Sequence, residues 1–158
     1  MNDESFLTAA NRNKNTIYRI ALNYMRNIYD AEDVVQNVLM KLYRCDMDFQ
    51  SDDHVRYWLI RVTVNQCKNE LRAPWRKRNV VLDELAESIR FEQKEQRELF
   101  MSVMELPENH RIVLYLFYYE GFSAREIAGI LKLKESAVTT RLFRARNQLK
   151  VQLVGEVT

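Results

Sequence analysis

The chain has 158 residues, 47% of them apolar, and its 24 basic and 22 acidic side chains leave a net charge of +2. That length suits one domain or two small ones, the apolar share is enough to fold, and the net charge argues neither for nor against a polyanionic partner. Three glycines, two prolines and two cysteines weigh against a strand-rich fold and against a disulfide scaffold, so an all-α chain is expected.

Cys45, Cys67, His54 and His110 are scattered, without the paired spacing of a metal site or the grouping of a catalytic constellation. No metal, no cofactor and no enzymatic activity are expected. The start, "MNDESFLTAANRNKN", has no apolar signal core, and the run "IVLYLFYY" is far too short to span a membrane. A cytoplasmic protein with reduced thiols and no membrane insertion is the expectation.

In chain order, a first helix is expected from about Thr8 to Asn27, with Ile17, Ile20, Ala21, Tyr24 and Met25 on one stripe. Asp30 is the expected cap of the next helix, where Ala31, Val35, Val38 and Leu42 share one face. Asp33, Gln36, Asn37, Met40 and Arg44 share another, either plain surface or a docking face. "CDMDFQSDD", Cys45 to Asp53, reads as a polar loop, with Ser51 capping a long helix from about Asp52 to Leu71 that stops before Pro74. Val55, Leu59, Val62, Ile60, Val64, Cys67 and Leu71 bury a wide arc of it.

The remaining face of that helix carries His54, Tyr57, Arg61, Asn65, Lys68 and Arg72 at steps of three and four, which fall on one line. The line ends near "PWRKR", Pro74 to Arg78. Basic groups hold phosphates, Asn bonds a base edge and exposed aromatics stack on unpaired bases. A merely solvated face has the same composition. Charge is unevenly spread: residues 61–82 carry six basic and one acidic side chain, 83–108 three and eight, and 123–150 seven and two. Two basic blocks separated by an acidic one suggest two electropositive surfaces.

Residues 79–104 read as a linker followed by a charged helix. Beyond them, Pro107 fits a first helical position, and Ile112, Leu116 and Tyr119 form an inner stripe ended by Gly121. Ser123 and Glu126 make a capping box for a helix starting at Ala124, with Ile127, Ala128 and Leu131 inward. A second helix follows closely, with Val138, Leu142, Ala145 and Leu149 inward. Ser136, Thr139, Thr140, Phe143, Arg144 and Asn147 lie outward, flanked by Arg141 and Arg146. A capped short helix, a tight turn and a second helix with short polar residues near its start match helix-turn-helix geometry, which places the second helix in a DNA major groove. A solvated helical hairpin has much the same pattern.

Over about residues 8–152 the chain resembles the extracytoplasmic-function (ECF) class of bacterial sigma-70 family factors. "YDAEDVVQNVLMKLY" is similar to the family's "AED..Q..F..L", with Leu39 where an aromatic is common. "YWLIRVTVNQCKNELR" is similar to "WL..IA.N...D..R", and "LPENHRIVLYLFYYEGFSAREIAGILKLKESAVTTRLFRARNQL" resembles the family's DNA-binding domain. Two motifs in this order make the resemblance specific.

The resemblance implies two small helical domains joined by a flexible linker: 1–78 (region 2-like), 79–104 (linker) and 105–158 (region 4-like, with the helix-turn-helix). It implies binding to core RNA polymerase through Asp33, Gln36, Asn37 and Met40. It further implies capture of melted, single-stranded −10 DNA by the loop before the third helix and that helix, which brings in Phe49, Tyr57, Arg61, Asn65, Lys68, Arg72 and Arg76. Duplex −35 DNA falls to Lys134, Glu135, Ser136, Thr139, Thr140, Arg141 and Arg144, and an anti-sigma factor is a further partner open to the family. Trp58 matches a core position. Lys132 stands where the family often has Gly, and Lys134 where it often has a Ser cap. The residues by themselves leave two other readings open: a helix-turn-helix regulator of another type, and a protein-binding helical module without promoter melting.

Overall fold

The computed structural model describes residues 1–73, 82–87 and 89–157. The chain divides into two compact units, Met1–Arg78 and Asn79–Thr158, and among the described residues all regular structure is helical.

The front unit contains α1 (Asp3–Met25), α2 (Ile28–Tyr43) and α3 (Asp52–Leu71), each packed on the other two. Its core is Ile17, Ile20, Ala21, Tyr24 and Met25 of α1, Ala31, Val34, Val38 and Leu42 of α2, and Val55, Leu59, Ile60, Val64 and Cys67 of α3. Helix α1 starts earlier than its apolar stripe suggests, because the Asn2 side chain accepts from the Ser5 amide at 2.8 Å and sets the first turn. It closes at Arg26, whose backbone is left-handed (φ 53°) and whose N–H donates to the Leu22 carbonyl. The cap of α2 is Asn27, which accepts from the Asp30 amide at 3.0 Å. Asp30 is therefore not the cap but an anion in the first turn, where the helix dipole favours it. On the inner face of α2, Val34 is completely buried, whereas Val35, expected inward, is half-buried. Ser51 does cap α3, accepting from the His54 amide. Val62 and Leu71, expected inward, are half-buried at the margin of the arc.

The back unit contains α4 (Leu82–Glu87), α5 (Lys94–Met104), α6 (Glu108–Leu114), a π-helical turn at Tyr115–Tyr119, α7 (Ala124–Leu131) and α8 (Glu135–Val157). Helices α5, α6 and α7 each pack on α8. Pro107 occupies the cap position rather than the first helical one. Behind it the buried Arg111 donates from Nη1 to the Leu106 carbonyl at 2.7 Å, tying the α5–α6 turn to α6. Ile112 and Leu116 are core, but Tyr119 is 61% exposed. The inner stripe fails there because the backbone widens: the Glu120 amide reaches back five residues to Tyr115, and side chains beyond the wide turn leave the α-helical register. Gly121 then turns the chain at φ +77°.

Candidate functional site

On α2, Asp33, Gln36, Asn37, Met40 and Arg44 are all exposed and share the face expected of them. Asn37 also reaches across to α3, its amide donating to Glu70 at 3.4 Å, while Lys41 donates to Gln66 at 2.6 Å. Beside Gln36 and Met40 lies a groove of about 410 Å³ lined with Phe6, Leu39, Tyr43 and Arg44. Phe6 belongs to the first turns of α1 and meets the Tyr43 ring edge-on at 5.2 Å. The Tyr43 hydroxyl donates to Asp3 at 3.0 Å. That bond, with the Asp3 charge, raises the phenol above its ordinary range.

On α3 the line is real but unevenly open. Asn65 and Arg72 are exposed, whereas His54, Tyr57, Arg61 and Lys68 are half-buried. The Arg61 guanidinium lies over the Tyr57 ring at 5.9 Å, and its buried Nε has no hydrogen-bond partner among the described residues. The ring and the cation therefore form one platform, with a polar donor still to be satisfied. Phe49 is half-buried and edge-packed against His54 at 5.2 Å and Trp58 at 5.5 Å. The Gln50 amide donates to His54 Nδ1 at 3.0 Å, so the loop is pinned to the start of the helix it precedes. Pro74, Trp75, Arg76, Lys77 and Arg78 lie outside the described residues.

Phe49 also lines a cavity of about 580 Å³ whose opposite wall is α1, through Thr8, Arg12 and Asn13. Arg12 pairs with Asp52 in the first turn of α3, and the N-terminal amine donates to the Cys45 carbonyl at 3.3 Å. Sequence reading missed this wall, because its partners are about forty residues apart and no local pattern links them.

In the back unit, Ser123 and Glu126 form the expected reciprocal capping box. Helix α7 closes at Lys132 in a left-handed conformation (φ 57°, ψ 50°), where a side chain costs more than Gly. The Leu133 amide then reaches the Ala128 carbonyl at 2.9 Å, a Schellman closure that delivers the chain to α8. Val138, Leu142 and Ala145 are buried and Leu149 half-buried. Lys134, Glu135, Ser136, Thr139, Thr140, Phe143, Arg144 and Asn147 are exposed, and Arg141 is half-buried. The Thr139 and Thr140 hydroxyls donate to the carbonyls of Glu135 and Ser136 at 3.0 and 2.9 Å, leaving their lone pairs outward as acceptors. The outward row thus offers acceptors near the helix start and guanidinium donors further along.

Among the described residues no three His, Cys, Asp or Glu side chains gather as metal ligands, and no helix is long and apolar enough to cross a membrane.

Two family models match: Sigma-70 region 2 over residues 9–77 and Sigma-70, region 4 over residues 96–149. The chain is 31% identical over 142 residues to the ECF RNA polymerase sigma-E factor of Escherichia coli (strain K12), covering 78% of this chain and 74% of that protein. It is 28% identical over 156 residues to RNA polymerase sigma factor SigV of Bacillus subtilis (strain 168), covering 95% and 92%. Among solved structures it is similar to CnrH in complex with the cytosolic domain of CnrY, at 25% identity and a TM-score of 0.69, covering 98% of this chain and 90% of that one.

Proposed function

We propose, because this chain belongs to the extracytoplasmic-function class of sigma-70 factors, a family of promoter-directed transcription initiation, that it reads a promoter at two separate places. The observation that carries the reading is the pairing, in one chain, of an open helix-turn-helix face on α8 with a separate polar and aromatic line on α3. A regulator that only grips duplex DNA needs the first and has no use for the second.

In this reading α8 enters the major groove at the −35 element. Ser136, Thr139 and Thr140 meet base edges, Lys134, Arg141 and Arg144 fix the phosphates, and Glu135 is poised to accept from a cytosine amine. The α3 line takes the unpaired −10 strand, with bases stacking on the Tyr57–Arg61 platform and Phe49 lining the cavity beside it. Asn65 bonds a base edge, and Lys68, Arg72 and Arg76 hold phosphates. Opening is driven by binding: each base stacked on an aromatic contributes about 1–3 kcal/mol, which offsets its unstacking. Core RNA polymerase docks on Asp33, Gln36, Asn37 and Met40. The division of labour is 1–78 for polymerase and the −10 strand, 79–104 as the connector, and 105–158 for the −35 duplex. An anti-sigma factor is the regulator this arrangement would accept, and no covalent chemistry is assigned to the chain.

The test is transcription by purified core polymerase on a genomic DNA library, with starts mapped with and without this protein. New starts sharing upstream elements support the reading. DNA binding without new starts would mark a regulator of another type, and neither would mark a protein-binding module.

A further inference from the structure

The aromatic run "YLFYY" in the π-helical turn has no part in the DNA contacts assigned above, yet it touches α8. Arg146 Nε donates to the Tyr118 hydroxyl, and the guanidinium carbon lies 5.5 Å from the Phe117 ring centre and 5.4 Å from that of Tyr118. The two rings meet edge-on at 5.0 Å, so the cation sits in a corner of aromatic surface. Tyr118 stays 60% exposed, and Arg146 is exposed as well. Tyr115 and Tyr119 stack at 5.2 Å, and the Tyr115 hydroxyl donates to Glu120 at 2.5 Å, which stiffens the wide turn.

Thr139, Phe143, Arg146 and Lys150 follow one another at steps of four, three and four, so Arg146 shares a line with a base-facing residue. Its Nη groups have no acceptor among the described residues. We propose that the π-helical turn is a clasp in which Tyr118 is a positioning residue, presetting Arg146 to grip a backbone phosphate of the −35 duplex. This rests on the DNA-reading role of α8. A planar guanidinium presents a fork that matches phosphate oxygens. An arginine already held by two rings and one hydroxyl loses less freedom on gripping than one swinging in solvent. The line of Arg146 flanks the row Ser136, Thr140 and Asn147, which suits a rim contact to the backbone rather than a base.

The experiment measures retention of a promoter duplex, recovered by start mapping, by holoenzyme over a salt series, with wild type, Arg146→Gln, Tyr118→Phe and the double variant. Arg146→Gln is expected to flatten the slope of log affinity against log salt by about 0.9, the effect of one lost phosphate contact. Tyr118→Phe keeps the ring and removes the acceptor. It should weaken retention roughly two- to ten-fold, move the slope the same way, and add nothing once Arg146 is Gln. A brace that only holds α8 would instead lower the melting temperature and leave the slope alone. An unmoved slope in Arg146→Gln, or full additivity of the two changes, overturns the clasp while leaving the −35 reader intact. Wild-type holoenzyme that retains no promoter duplex overturns both. Arg146 is exposed, so its variant remains informative even if Tyr118→Phe folds poorly.

Discussion

In the front unit three helices of 23, 16 and 20 residues lie against one another, and their working surface is whatever packing leaves open. In the back unit α6 and α7 have only seven and eight residues, and the working surface of α8 is set by how the chain turns before it. Long helices settle their register through repeated apolar contacts, so a cap misplaced by one turn changes little. Short helices have few such contacts and depend on a capping box, a left-handed closure and a wide turn to deliver the next element. Function in the front unit is therefore exposed to losses of packing, and in the back unit to losses of turn geometry.

The sharpest test of that contrast is Arg111→Met, which removes a buried donor from the α5–α6 turn. Losing a charged hydrogen bond to a buried carbonyl costs about 1.5–3 kcal/mol. Both tryptophans, Trp58 and Trp75, fall within Met1–Arg78. Urea melts followed by far-ultraviolet dichroism should shift, while tryptophan fluorescence should not. Equal shifts in both signals would break the contrast and show that the units share their stability.

Next in size is a pair of functional changes. Tyr57→Ala should cost about 1–3 kcal/mol of strand capture, seen as faster decay of open complexes with closed-complex binding kept. Thr140→Ala should redistribute preference within the −35 element with general retention little changed. Unaltered open-complex lifetime would remove Tyr57 from the capture surface, and a uniform loss over all sequences would make Thr140 a phosphate contact.

Periodicity made most of this legible. The α1 stripe, the Ser51 cap and the Ser123–Glu126 box are local patterns that stand where their spacing implies. The inward rows of α3 and α8 do so except at Val62, Leu71 and Leu149, which are half-buried. The all-α class was legible in the scarcity of Gly and Pro as well, and the family resemblance rests on the quoted motifs rather than on periodicity. What stayed hidden has a common physical cause. Asn27 displaced Asp30 because either side chain can cap and the two stand one turn apart, with nothing in the local pattern to choose between them. Tyr119 left the stripe because a π-helical turn has no sequence signature of its own. The Arg12–Asp52 pair and the Arg146 clasp join residues far apart in sequence, and spacing along one helix carries no information about them.

Smaller effects come from the two left-handed closures, one in each unit. Arg26 (φ 53°) ends α1 and Lys132 (φ 57°) ends α7. A left-handed side chain is strained relative to Gly, while Gly gives the unfolded chain more freedom, so Arg26→Gly and Lys132→Gly should each stabilise by about 0.5–1 kcal/mol. Denaturant midpoints read this directly. If the reliance on turn geometry is right, only Lys132→Gly should also alter −35 affinity, because only it sets the entry of a reading helix.

The smallest expected effect concerns the first turn of α1, which precedes the segment matched by the region 2 model. Tyr43 donates to Asp3, and that bond and the carboxylate charge hold the phenol above its ordinary value of 10.0. A raised folded value means that the contact stabilises fully below the ordinary tyrosine range and fades as pH climbs through the folded one. Asp3→Asn removes the charge and should bring the Tyr43 phenol down toward its ordinary value. The phenolate absorbance of the variant would then rise earlier than that of wild type on alkaline titration, by one tyrosine out of eight. Superimposable curves would mean that the Asp3 carboxylate does not hold the Tyr43 hydroxyl in solution, leaving the edge-on contact of Phe6 with the Tyr43 ring as what seats the first turns of α1 beside the groove.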